Sequence, residues 1–253
     1  MGRPKDPNGK TKHPDYWGEL NHMRRYGITS GAVKTQITRQ RNKCLGCTKP
    51  FSAELKPRVD HDHQTNRFRG VLCHGCNVGL GFLKENKDTL RRLMAYLDYD
   101  LTKKMVYLIG SLRNKDVQVV AAKIREAGWV VWDDWQAAGP EADDYWRDYE
   151  KARGRTYPEA LAGNAAQNTY HFDKAYIDLA DVGVLVMPAG RSGHLELGYM
   201  QGSGKPTYVL LDQEPERFDV MYQFASAVCH NVEELLENLS SQQFQESGEN
   251  AVR

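Results

Sequence analysis

The sequence has no apolar run long enough to span a bilayer, and its first residues lack the apolar core of a signal peptide. Cysteine is also scarce, because the 253 residues include only five, and four of these form two Cys-x-x-Cys pairs. Paired spacing of this kind is typical of metal ligands rather than of the disulfides of a secreted protein. We therefore expect a cytoplasmic protein with reduced thiols that makes no membrane contact.

Charge is distributed unevenly along the chain, although the formal net charge is only +1. Residues 1–102 contain 19 Lys and Arg against 10 Asp and Glu, whereas residues 103–253 contain 15 against 23. A basic N-terminal part and an acidic C-terminal part indicate two domains with different partners. The basic part suits a nucleic acid, because binding to a phosphate backbone is driven largely by counterion release.

The two cysteine pairs are Cys44 with Cys47 and Cys73 with Cys76, and 25 residues separate them. This spacing can place four thiolates around one tetrahedral zinc ion. A bound zinc ion would stabilise a segment that is too short to bury an apolar core of its own. Before the first pair, residues 1–15 form a basic arm, and residues 16–43 show two short helical patterns.

Between the pairs lies the segment Asp60-His61-Asp62-His63, and Asn77 follows the last cysteine directly. The sequence predicts a β-hairpin from residue 59 to 69, with the Asp-His cluster at the end of its first strand. The turn is expected at Gln64-Thr65-Asn66, and residues 68–72 lead out of the hairpin. A helix is expected to begin near Asn77, and a second over 87–99 has an apolar stripe formed by Leu90, Leu93, Met94 and Leu97. The alternative is a zinc ribbon with an inert acidic turn.

With these motifs, residues 16–100 resemble the recombination endonuclease VII family of phage HNH nucleases, whose small domain has a ββα-metal fold. The resemblance implies DNA as a partner, a bacterial host cell, structural Zn²⁺ on the four cysteines and catalytic Mg²⁺ on Asp60 and Asn77. It further implies His61 as general base, with His63 contributing beside the metal. Independently, a histidine suits proton abstraction near neutral pH, and carboxylate and amide oxygens suit Mg²⁺.

The family's junction resolvases continue into a longer dimerising helical region. In this sequence that region is replaced by a different pattern from about residue 103. The resemblance therefore does not imply junction resolution or dimerisation, and the oligomeric state stays open, with a homo-oligomer as one alternative.

From residue 103 onward, short apolar runs alternate with helical patterns. Strands are predicted at 105–110, 129–132, 182–187 and 207–211, and helices include 116–127, 141–154, 193–202 and 232–239. Alternation of this kind predicts an α/β Rossmann-like (flavodoxin-like) domain, a parallel sheet with helices on both faces. We expect this domain to occupy 103–239 and a disordered tail to occupy 240–253. Residues 134–170, between the second and third predicted strands, form an insert that the strand–helix alternation does not explain.

Ligands of such sheets bind at the carboxyl ends of the strands. Ser111 and Arg113 follow the first predicted strand, Asp133 follows the second, and Ser192 and Glu196 follow the third. For Glu196 the pattern alone favours a carboxylate stabilised by the positive end of a helix dipole.

Residues 105–212 resemble the nucleoside 2-deoxyribosyltransferase superfamily, which includes deoxynucleotide N-hydrolases. The matching segments are Gly110-Ser111-Leu112-Arg113, Asp173 with Asp181, Glu196-Leu197-Gly198-Tyr199 and Gly204-Lys205-Pro206. The resemblance implies Glu196 as nucleophile on the anomeric carbon and Asp173 as the acid that assists the departing base. It also implies a 5′-phosphate or 5′-hydroxyl held by Ser111, Arg113 and Ser192.

The transferases carry a further Asp six residues before the nucleophile, and this chain has Gly190 there, which favours hydrolysis over transfer.

The sequence therefore predicts a bifunctional phage-type enzyme. Its first part is a metal-dependent DNA endonuclease, and its second is a nucleoside or nucleotide N-glycosidase or a 2-deoxyribosyltransferase acting on a deoxynucleoside or nucleotide. Two alternatives remain. One is a zinc-stabilised DNA-binding protein, and the other is a nuclease effector controlled by a nucleotide-sensing C-terminal domain without catalytic activity.

Overall fold

The computed structural model describes residues 27–98, 100, 102–216 and 218–249, with side chains described as far as Ser241. These residues divide into two compact units, one that ends at Asn86 and one that begins at Lys87. The predicted basic arm and the helical pattern near residue 20 lie outside the described residues. Within the described ranges, no helix is both long and apolar enough to cross a bilayer.

The N-terminal unit is a helix followed by a β-hairpin and a second helix. Helix α1 (Ser30–Arg39) begins after Thr29, whose hydroxyl accepts a hydrogen bond from the Ala32 N–H at 3.1 Å, as a helix cap does. Strands β1 (Pro57–His61) and β2 (Phe68–Cys73) are antiparallel, and α2 (His74–Phe82) follows β2 directly. The predicted ββα arrangement is therefore present.

Helix α2 starts three residues earlier than the sequence pattern suggested. The reason is that Cys73 serves as the cap, since its sulfur accepts from the Cys76 N–H at 3.5 Å. The hairpin turn lies where it was expected, with Asn66 in the left-handed conformation at φ 57° that asparagine tolerates well.

Gln40, which sequence reasoning passed over, joins α1 to the hairpin. Its buried amide accepts from the Val71 N–H at 3.0 Å and donates to the Val71 carbonyl at 2.8 Å. The same side chain donates to the Lys43 carbonyl and accepts from Gln36. This amide pairs with the edge of β2 as another strand would, so its donors and acceptor are satisfied although it is buried.

The C-terminal unit contains a five-stranded parallel sheet with the order β4-β3-β5-β6-β7, as the predicted α/β class requires. The strands are β3 (Met105–Ile109), β4 (Val130–Trp132), β5 (Val182–Val186), β6 (Thr207–Leu210) and β7 (Ala227–Cys229). The helices are α3 (Lys87–Asp98), α4 (Asp116–Glu126), α5 (Ala142–Ala152), α6 (Tyr157–Leu161), α7 (Asn164–Leu179), α8 (Arg191–Gly202) and α9 (Val232–Glu249).

Each face of this sheet has its own apolar cluster. Val106 and Leu108 of β3 point to the face covered by α4 and α9, while Met105, Tyr107 and Ile109 point to the face covered by α3, α7 and α8. Because side chains alternate along a strand, one strand serves both clusters, and this explains the continuous apolar runs in the sequence.

Three expectations for this unit were wrong. Strand β7 was missed, because Ala227-Val228-Cys229 is a short strand of three residues, although Cys229 is fully buried. The last helix does not end at residue 239 but continues to Glu249, because no proline or glycine interrupts residues 240–247.

The third concerns α3. Leu93, Met94 and Leu97 are exposed, and the side chains that meet α7 include Asp88, Arg91, Ala95 and Asp98. This spacing of three and four residues also defines one face of the helix. The face that packs against α7 is therefore polar with a central alanine, and the apolar stripe lies on a different face. As a consequence, the compact units divide before α3 and not near residue 103.

Lys205 closes the end of α7. Its ammonium group donates to the carbonyl oxygens of Ile177, Asp178 and Ala180 at 2.6–2.7 Å, which are groups that a helix end leaves without partners.

We expect Lys205→Met to lower the free energy of unfolding of the C-terminal unit by about 1–3 kcal/mol, since three part-buried carbonyls lose their donor. Denaturant unfolding followed by tryptophan fluorescence measures this unit, which contains Trp129, Trp132, Trp135 and Trp146. The matched control is Lys103→Met, at an exposed turn. An equal loss in both variants would contradict the capping role.

Candidate functional site

The four thiols of the Cys-x-x-Cys pairs converge in the N-terminal unit. The sulfur atoms of Cys44, Cys47, Cys73 and Cys76 all lie within 4.8 Å of one another, as a tetrahedral metal site requires. Gly46 lies so close that a Cβ added there would stand 2.9 Å from the Cys76 sulfur.

The donor set fits zinc. Burial raises the pKa of the Cys44 thiol, but N–H groups that donate to its sulfur, including that of Cys73 at 3.2 Å, outweigh burial and lower the pKa to about 6. A thiolate is the form that binds zinc, and four thiolates form a closed structural site. The expected structural zinc site is therefore present as a cluster of four cysteines.

Asp60 lies near the end of β1 and is buried. Both of its oxygens accept from the Arg69 guanidinium, at 2.9 and 3.0 Å. Arg69 also donates to both oxygens of Glu85, at 2.7 and 2.9 Å, and the two carboxylates raise its pKa. Each Asp60 oxygen keeps a second lone pair, so a hard cation can still be bound beside this ion pair.

A bulge in the hairpin positions Arg69. Asp60 pairs with Gly70 and His61 pairs with Phe68, which leaves Arg69 opposite neither of them. An extra residue of this kind redirects side chains locally. Sequence reasoning gave no role to Arg69 or to Glu85.

His61 and His63 stand edge to face, with ring centroids 4.8 Å apart. The Nδ1 atom of His63 lies 3.4 Å from Glu85, and its ring lies beside Gly81 of α2, where an added Cβ would be 3.7 Å away. Asn77 precedes Gly81 by four residues, so it occupies the same face of α2 one turn earlier. That helix packs against both hairpin strands.

Asp62 serves the turn. Its Oδ1 accepts from the backbone N–H groups of Gln64 and Thr65 at 2.9 and 2.8 Å, and these bonds lower the pKa of its carboxyl. In the described part of the chain, the four cysteines are the one group of three or more His, Cys, Asp or Glu side chains that meets metal-binding geometry.

In the C-terminal unit, the strand order reverses between β3 and β5, and this is the switch point where α/β sheets bind ligands. Asn114 links the two loops there. Its buried amide donates to the Met187 carbonyl at 3.0 Å, and its oxygen accepts from the Asp116 N–H at 3.0 Å. Asn114 belongs to the Ser-Leu-Arg-Asn segment after β3, but its role as a clamp could not be read from the sequence.

Asp173 of α7 and Glu196 of α8 lie against the same sheet face. Burial and then the nearby Asp173 raise the pKa of Glu196 to about 7, and burial raises the pKa of Asp173 to about 6. Burial and both carboxyls raise the pKa of Tyr107 in β3. Two neighbouring carboxyls with raised pKa values are typical of acid–base chemistry. Sequence reasoning did not identify Tyr107 as a site residue, although it is the one aromatic residue in its strand.

The other predicted ligand-binding residues divide into two groups. Ser111 and Arg113 lie in the loop after β3, where the Ser111 hydroxyl accepts from the Arg113 N–H at 3.2 Å, and Ser192 is exposed in the first turn of α8. Asp133, by contrast, forms an ion pair with Arg125.

His194, two residues before Glu196, connects α8 to a later loop. Its Nδ1 lies 2.9 Å from the Gly190 carbonyl, so Nδ1 carries a proton, and Nε2 lies 3.0 Å from the Tyr222 hydroxyl. Tyr222 also lines a cavity of about 420 Å³ that includes Met187, Pro188 and Leu211. The cavity lies beyond the carboxyl ends of β5 and β6, on the edge expected for ligands.

Comparison with known proteins identifies relatives for part of the chain. Residues 19–99 match the sequence profile of the recombination endonuclease VII family. The Gene 59 proteins of Mycobacterium phages D29 and L5 are 32% and 31% identical over 80 residues, which is 31% of this chain and 48% and 49% of theirs. The chain thus spans about half the length of these curated relatives, and the resemblance expected for its N-terminal part is confirmed.

Among solved structures, Clostridium botulinum CMP N-glycosidase, BcmB, covers 54% of this chain and 99% of its own, with a TM-score of 0.34 and 16% identity. At that TM-score, the activity named for that protein does not transfer to this chain.

The raised pKa of Glu196 makes stability depend on pH. A carboxyl whose folded-state pKa of about 7 exceeds its ordinary 4.5 stabilises the fold below pH 4.5, and that stability is lost as pH rises through 7. We therefore expect Glu196→Gln to match the wild type at acid pH and to exceed it in free energy of unfolding by up to about 3 kcal/mol at alkaline pH. Denaturant titrations at the two pH values measure this.

Glu126→Gln, at the exposed end of α4, is the control for this prediction. If the gain in free energy of unfolding of Glu196→Gln does not change with pH, Glu196 does not have a raised pKa in the folded state.

Proposed function

We propose that the N-terminal unit is a metal-dependent DNA endonuclease of the HNH type. The observation that carries the proposal is the ββα arrangement that surrounds Asp60, His61 and Asn77, within a segment that matches the recombination endonuclease VII family. The excess of basic residues in the first part of the chain supports DNA as the substrate.

His61 acts as the general base in this proposal and takes a proton from the attacking water. His63 positions the His61 ring by edge-to-face contact, and Glu85 in turn holds His63. Asp60 and Asn77 would hold Mg²⁺, and Arg69 fixes the Asp60 carboxylate in place. A bound ion would stabilise the negative charge that develops on the phosphate.

We expect His61→Ala to lower Mg²⁺-dependent nicking of plasmid DNA by about 100-fold or more, because a general base is lost. Zinc content, measured in the same preparation, should stay at the wild-type level. His230→Ala in the C-terminal unit is the matched control. Nicking that persists in His61→Ala would contradict the assignment, and DNA binding without any nicking in the wild type would favour the zinc-stabilised binding protein.

For the C-terminal unit, we propose cleavage of the N-glycosidic bond of a deoxynucleoside or deoxynucleotide. The half-buried pair Asp173 and Glu196 at one sheet face carries this second proposal. Two carboxyls with different environments can divide the roles of acid and nucleophile between them, as they do in retaining glycosidases.

In the first step, the Glu196 carboxylate attacks C1′ while the bond from C1′ to the base nitrogen breaks, and Asp173 gives its proton to the departing base. In the second step, water attacks C1′ and passes a proton to Asp173, which restores the Glu196 carboxylate. A second base in place of water would make the reaction a transfer.

We expect the wild type to release free base from at least one of the common 2′-deoxynucleosides or their 5′-monophosphates, and Glu196→Ala to release none above background. The rate should rise with pH through about 6 and fall through about 7, because the active form is a pair that carries one proton. The proton must lie on Asp173 for the roles given, and the order of the two pKa values makes this the less populated of the two singly ionised forms. Chromatography of the products measures both, and Glu126→Ala is the control.

Exchange between paired substrates would identify a transferase. If no substrate loses its base, the catalytic proposal for this unit fails. Nicking that then depends on added nucleotide would identify the nucleotide-controlled nuclease effector.

A further inference from the structure

Asp144 on α5 bridges two arginines. Its Oδ2 accepts from Arg113 at 2.8 Å, and its Oδ1 accepts from Arg147 at 2.7 Å. Arg113 belongs to the loop after β3, whereas Asp144 and Arg147 lie one turn apart on α5, within the insert that the sequence pattern did not explain. The Nε of Arg147 also donates to Asp148 at 2.8 Å, while the other terminal nitrogen of Arg147 has no hydrogen-bond partner among the described residues. Asp144 therefore links two guanidinium groups beside the loop at the switch point of the sheet.

The start of this insert is fixed to the same loop. The Trp135 indole donates to the Leu108 carbonyl of β3 at 2.8 Å, and the Gln136 amide donates to the Asn114 carbonyl at 2.9 Å. Further along, the buried Glu150 of α5 forms an ion pair with Arg155 at 3.0 Å. Because the helix is anchored before and after Asp144, the meeting of Arg147 with Arg113 follows from the fold of the insert.

The bridge itself is exposed. The side chains of Arg113, Asp144 and Arg147 are 53%, 43% and 51% exposed, so water competes with the ion pairs and they stabilise the fold little. A phosphate group carries more charge than a carboxylate and offers three oxygens, and arginine binds such groups through paired N–H donors. Phosphate can therefore displace the carboxylate from the two guanidinium groups.

We propose that Arg147 joins Arg113 in binding the 5′-phosphate of a nucleotide, and that the Asp144 carboxylate takes that position when no nucleotide is bound. The inference rests on the function proposed for the C-terminal unit and narrows it, since it assigns nucleoside 5′-monophosphates as the substrate class. The insert then acts as a specificity element, because α5 contributes a cation that the loop after β3 does not have.

The first experiment compares base release from 2′-deoxynucleoside 5′-monophosphates and from the matching nucleosides. We expect Arg147→Gln to lower the ratio of the two kcat/KM values about tenfold or more, because a charge-assisted contact to phosphate is lost. Asp144→Asn should lower KM for the monophosphate, since it removes a competing negative charge. Lys103→Gln, in the turn before β3 at the opposite edge of the sheet, should leave the ratio unchanged.

An unchanged ratio in Arg147→Gln, with base release intact, would overturn the inference and leave the glycosidase proposal standing. If the wild type releases no base at all, the glycosidase proposal fails, and calorimetric titration with the same monophosphates tests the phosphate site alone. The inference then requires binding that weakens about tenfold in Arg147→Gln. Binding that is absent, or equal in both proteins, overturns it.

Discussion

The four-cysteine cluster is the constraint on which the N-terminal unit depends. Its apolar cluster contains Cys44, Leu72 and Cys73, with a few part-buried neighbours, and so small a core cannot stabilise a hairpin and two helices by burial alone. Zinc bound to four thiolates would supply that stability as binding energy and would make folding and metal binding one equilibrium. The positions of the Asp60, His61 and Asn77 side chains would then depend on this equilibrium, because β2 leads into one cysteine pair and α2 begins within it.

The C-terminal unit is organised differently, since its two apolar clusters are large and its candidate site contains groups that are costly to bury. Asp173 and Glu196 sit at the face where α7 and α8 cover β3, and Tyr107 stands among them. Asn114 compensates part of this cost, because it satisfies backbone carbonyls at the point where the β3 and β5 loops diverge. The stability supplied by the two apolar clusters therefore allows two carboxyls with raised pKa values to be held close together.

How much could be predicted from the sequence differed between local and long-range features. Cysteine spacing identified the metal cluster, and strand–helix alternation identified the parallel sheet, because both depend on residues that are near in sequence or periodic. Side chains such as Gln40 and Asn114 were missed, since their partners lie 31 and about 73 residues away and nothing in the local pattern marks them. In the sequence, Asp144 and Arg147 are ordinary charges of a polar helix, and their proximity to Arg113, which lies 31 residues before Asp144, depends on how the insert folds.

Helix α3 has a further consequence. By sequence it belongs to the segment shared with phage relatives, which extends to residue 99, yet it packs within the C-terminal unit through Asp88, Arg91, Ala95 and Asp98. The segment that matches the family and the compact unit thus have different borders. Truncation at residue 99, where the family match ends, would remove from the C-terminal unit a helix that packs against α7.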